Sequence, residues 1–138
     1  MRRSEITPEL IELSKRAKEL GFPQVVEEGD WVHYHVGRKK QIVLVDKSML
    51  DEFKYANIWL EEYTLILSFS RCLDWLREKG WWLSDSRHCL SEDEGGHWRY
   101  FVEVKKEQPY RCKMCDAKTH HEAIAKAVIK ILEEEQCK

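Results

Sequence analysis

No stretch of about eighteen apolar residues occurs in this sequence, so nothing in it reads as a membrane span. The opening MRRSEITPEL carries two arginines with no apolar core behind them, which reads against a secretory signal. Neither sign of charge is in excess. Lys and Arg number 23 against 25 Asp and Glu, and a net charge of -2 draws in no nucleic acid by a global field. The cysteines are five: Cys72, Cys89, Cys112, Cys115 and Cys137. An odd, scattered set argues against a disulfide framework and for reduced thiols in a cytoplasmic setting. Also missing are a glycine-rich phosphate loop after a strand, Gly-x-Ser-x-Gly and His-Glu-x-x-His, so no nucleophile, base or cofactor motif marks an enzyme. Repeats, low-complexity tracts and interdomain linkers are absent as well.

What is present fits one globular domain over residues 1–138, with 35% charged and 43% apolar residues. Six tryptophans call for an aromatic core or a contact face. Thr7 as cap, Pro8 in the first turn, Leu10, Leu13, Ala17 and Leu20 on one face and Gly21 as stop predict a helix over about 8–20. In DWVHYHVGRKKQIVLV, Trp31, His33 and His35 alternate with Val32, Tyr34 and Val36, and a basic turn at 37–40 closes a hairpin. Those two histidines share one strand face, where without a third ligand they read as a half-exposed surface. Residues 46–67 are ambiguous. Ser48 and Asp51 suit a capping box, whereas ANIWLEEYTLILSF suits a strand or the front of the next helix.

SRCLDWLREKG is a helix capped by Ser68 or Ser70, with Phe69, Cys72, Leu73 and Leu76 on one face. WWLSDSRHCL is a strand with a loop in or after it, and an acidic, glycine-rich turn follows. In HWRYFVEVKK, Trp98, Tyr100, Val102 and Val104 point one way and Arg99, Glu103 and Lys105 the other. The last helix opens at Thr119, with Glu122 completing a capping box. The order α-β-β-α-β-β-α predicts an α+β fold, a largely antiparallel sheet of hairpins with helices packed on its faces.

The stretches CLDWLREKGWWLSDSRH, GGHWRYFVEVKK and KTHHEAIAKAVIKILEE resemble the phage ABA sandwich domain family, small α/β proteins of phages and prophages. Leu76 to Gly80 match its helix end, Trp98 to Val104 its strand, and Thr119, Glu122 and Ala123 its last helix start. The resemblance covers residues 70–135 and implies a sheet between helical layers. It implies no reaction, and no functional residue is carried over. Residues 107–118, with both cysteines of the C-x-x-C, stand outside the family pattern as an added segment.

That segment holds the chemistry in question. Cys112 and Cys115 have the spacing of a zinc knuckle, and a structural zinc needs four ligands. Cys89, His88, His97, His120 and His121 are the candidates to complete it. A lone C-x-x-C reads as readily as two plain reduced thiols; a redox dithiol fits less well, because it should open a helix and the helix here opens later, at Thr119. His120 and His121, in the first turn of the last helix, also suit simple solvent exposure. Three functions follow. One is a phage-type accessory protein binding a protein partner, another copy of itself as a homodimer among the candidates, through Trp59 and Trp75. Another is a zinc-knuckle nucleic-acid binder using Lys105, Lys106, Arg111, Lys113 and Lys118. The third is a thiol oxidoreductase.

Overall fold

The computed structural model describes residues 1–36, 39–55, 63–91 and 96–137, and of residues 35, 36 and 52–55 the backbone alone. After a single 3-10 turn at Arg3–Glu5, the elements are α1 (Pro8–Glu19), β1 (Trp31–Val36), β2 (Lys39–Leu44), α2 (Lys47–Tyr55), β3 (Tyr63–Leu65), α3 (Phe69–Glu78), β4 (Trp82–Ser91), β5 (His97–Lys106), β6 (Arg111–Ala117) and α4 (His120–Gln136). The fold is α+β and every described strand pairing is antiparallel.

One expected sheet is in fact two, ordered β2-β1-β3 and β4-β5-β6. The ambiguous segment explains the first. Its last residues form β3, which pairs with β1 through Val32 and Leu65, His33 and Thr64, and Tyr34 and Tyr63. Its first residues form α2, whose cap is Asp46 and not Ser48: the Asp46 carboxylate accepts the Met49 N–H at 2.9 Å. Met49 and Leu50 pack with Val32, Val45 and Tyr63 on one face of this sheet.

The main core lies between the second sheet and α1, α3 and α4. Thr7, Ser68 and Thr119 cap these helices, each side chain accepting a backbone N–H three residues on. Gly21 ends α1 at φ +99°, as its position predicts. The three helices run the same way. Thr7 and Phe69 bond to the first turn of α4, and at the far end Gln136 donates to the Leu20 carbonyl at 2.8 Å. Their N-termini therefore meet at one end of the core. Ser14, expected nowhere, is buried mid-helix. It donates to the Leu10 carbonyl and accepts the Leu67 N–H at 3.0 Å, satisfying the chain where it leaves β3. Arg71 of α3 grips Asp30 ahead of β1 with two guanidinium nitrogens, Nε at 3.2 Å, and so ties the first sheet to the helical layer.

Residues 111–117 hold a strand that the element order read from the sequence lacks. It pairs with β5 from Tyr100 and Ala117 to Lys106 and Arg111. Among the described residues, helices cover one face of this sheet; the other carries exposed Cys112 and Met114. None of the described helices is long and apolar enough to cross a membrane.

Candidate functional site

The strand decides the cysteines. Residues three apart on a strand point to opposite faces and sit about 10 Å apart along it. Cys115, opposite Val102, is buried beneath α4, and burial pushes its thiol up. Cys112, opposite Lys105, is exposed on the far face. The expected knuckle pair therefore does not converge. Nor does it close as a dithiol, because bridged Cα atoms must lie within about 7 Å. Cys89 lies at the opposite end of that far face, across from Arg99, while His88 points to the helical side and is exposed. His97 begins β5, away from both cysteines. A thiol titration is expected to find Cys112 and Cys137 fast, and Cys72 and Cys115 silent until the protein unfolds. Joint protection of Cys112 and Cys115, released by a chelator, would overturn this placement.

The basic cluster is dispersed too. Lys105 pairs with Glu103 at 3.3 Å on the far face. Arg111 and Lys113 both pair with Glu134 of α4, Lys113 at 2.9 Å. Lys106 lies beside Trp81 and Arg111, whereas Lys118 lies at the other end of the sheet with His97, Trp98 and Arg99. With Lys105, Arg111 and Lys113 paired to carboxylates and the five cations split between faces and ends, they do not line up as one phosphate-tracking stripe.

What the fold does bring together is His120, His121 and Glu5, at the meeting point of the helix N-termini. His121 is buried, not solvent-facing. Its Nδ1 accepts the Phe69 N–H at 2.8 Å, so this nitrogen carries no proton. In the neutral ring the proton is then on Nε2, which donates to the Glu5 carboxylate at 2.9 Å. One imidazole thus links α4, the start of α3 and the N-terminal turn. Glu5 also accepts the Arg2 N–H at 2.7 Å. That bond first, and the His121 bond second, lower its pKa from 4.5 to about 2.

These three side chains are close enough to surround an ion, but the donor chemistry does not fit one. A metal on Nε2 of His121 displaces its proton while Nδ1 stays occupied by a backbone donor, which leaves an imidazolate. His120 and Glu5 alone are two ligands. The set is a structural link.

Glu122 departs from the expected capping box. Thr119 accepts its N–H at 3.2 Å, but its carboxylate turns away to take the Thr7 hydroxyl of α1. The side chain is 1% exposed, and its second oxygen has no protein partner. Two carboxylates, Glu5 and Glu122, thus sit where three helix dipoles turn their positive ends.

His120 begins a ladder of rings leading outward. It touches Phe69 and Tyr100 at 5.4 and 5.5 Å, and burial lowers its pKa. Tyr100 stacks on His88 at 4.1 Å and 7°, and His88 meets Trp98 at 5.0 Å. The β4–β5 arm carries these rings past the start of α4, because Tyr100 is opposite Ala117 and the last rungs beyond it pair only with β4. Trp98 is 60% exposed, and Leu90, its cross-strand partner, 50%. The expected contact residues lie elsewhere. Trp75 is in the core, 6% exposed and 5.7 Å from Phe22, and Trp59 falls outside the described residues. No sequence signal announced the Glu5–His121 link, whose members are 116 residues apart. The exposed arm was legible only as an alternating strand.

A scan against protein-family models matches none, and searches of curated proteins and of solved structures likewise match none.

Proposed function

We propose that this chain is a binding module of the small phage or prophage accessory type, working in the cytoplasm, whose partner is a protein and whose contact face is the free end of the β4–β5 arm. One observation carries this reading: Trp98 and Leu90 stand exposed side by side on a paired arm, continuous with the His88 and Tyr100 rings. Large aromatic side chains held rigid lose little entropy on contact, and tryptophan is a frequent anchor of interfaces. The resemblance to the phage family supports the class. Its matched positions have structural work here, with Leu76 in the core, Gly80 in a turn at φ +85° and Thr119 as a cap. A non-catalytic role agrees with His121, whose nitrogens are both committed.

The test starts from protein immobilised away from the arm, in host extract. A captured partner is then purified and its affinity measured against wild type and Trp98→Ala. Loss of a central tryptophan should weaken binding about 30-fold or more, with an unchanged melting temperature. An affinity indifferent to Trp98→Ala, or no partner retained, defeats the reading.

A further inference from the structure

The second sheet ends in a long strand. β5 pairs with one side of β4, and among the described residues no strand pairs with its other side. Such an edge presents unpaired backbone donors and acceptors, a template for another strand. We infer that β4 pairs antiparallel with β4 of a second copy, joining the two sheets into one.

Symmetry and charge select the register. The two-fold that relates antiparallel copies stands normal to the sheet and keeps both helical layers on one face. Directly opposed residues point to the same side, so the axis passes through a pair of identical residues. An axis at Arg87 sets guanidinium against guanidinium. One at Ser86 sets Asp85 of each copy opposite Arg87 of the other, twice over. These side chains share the helix-free face, as their opposition to Glu103 and Phe101 requires, and they already pair within the strand. Opposite charges directly across a ladder stabilise it and like charges destabilise it. Charges and bulges ordinarily blunt an edge, and β4 has a bulge between Leu83 and Asp85. Here opposite signs two residues apart turn that guard into a selection, refusing most strands and matching their own. With the one-residue shift that the bulge imposes on β5, Trp82, 38% exposed, comes level with Cys89 of the second copy.

The test is sedimentation equilibrium of the full chain with reductant present, so that exposed Cys112 and Cys137 do not cross-link. Wild type is expected to dimerise reversibly. Asp85→Arg and Arg87→Asp should each raise the dissociation constant about tenfold or more, and the double swap should restore it. All three lie on the exposed strand, and circular dichroism checks that each folds. Trp98→Ala should leave the dimer intact, which separates this interface from the proposed partner face. A wild type that stays monomeric overturns the inference. So does a dimer indifferent to the single reversals, or one that the double swap fails to rescue.

Discussion

Replacing His121 with alanine is expected to lower the unfolding free energy by about 2–4 kcal/mol. The substitution strips the acceptor from the Phe69 N–H and the donor from Glu5, and leaves a hole where a buried ring stood. It also cuts the link between α4, the start of α3 and the N-terminal turn. Denaturant unfolding is the measurement, and a loss under about 1 kcal/mol would mean that the link is incidental. The same link has a pH signature. The Glu5 carboxyl sits at about 2 in the folded chain, below the usual 4.5. Its contribution is therefore complete above pH 4.5 and is lost as pH falls from there toward 2. Glu5 stands near the surface, so solvent screening keeps the size of the effect modest. Glu5→Gln should flatten that part of the acid limb, and His121→Ala should flatten the share that its bond supplies. Zinc or nickel added to wild type should not raise the melting temperature through this cluster. A metal-dependent rise that vanishes in His121→Ala contradicts the proton assignment.

Trp75→Ala should cost about 3–5 kcal/mol, the price of emptying a large aromatic from a packed core. Trp75 projects from α3 against Phe22, with the Lys79 ammonium 5.6 Å from its ring centre. Trp98→Ala is the paired control and should change stability by no more than about 0.5 kcal/mol, because its ring is mostly in water. The two substitutions remove the same group and differ only in surroundings. Thermal unfolding with a fluorescence readout tells them apart. A near-neutral Trp75→Ala would return that residue to the contact face that the sequence suggests for it.

The parts of this protein that depend on neighbours in the chain were legible without a structure. Thr7, Ser68 and Thr119 cap helices because a cap needs only its own next three residues. The alternation from Trp98 to Val104 announces β5 because side-chain direction on a strand has period two. The hairpins, and so the antiparallel α+β class, follow from the turns between such runs. The short helix that Ser48 and Asp51 suggest is α2, capped two residues earlier than they imply, because Asp46 is as good a cap and its carboxylate takes the Met49 N–H.

The tertiary structure decided what depends on distance in sequence. Cys112 and Cys115 have the same spacing in a knuckle and in a strand, and only pairing with β5 places them on opposite faces. Glu122 has the right offset for a capping box, yet the approach of α1 offers it a hydroxyl and turns it inward. Glu5 and His121 meet only once three helices are laid side by side. Six tryptophans are alike on the page. Which are core and which are surface depends on where the helical layer ends: Trp75, on the inner side of α3, and Trp81, just after it, are in the core, and Trp98 projects beyond the layer because β4 and β5 outrun the start of α4. Local sequence sets hydrogen bonds within a turn and the direction of a side chain from its strand. Burial and partnership are properties of the packed whole.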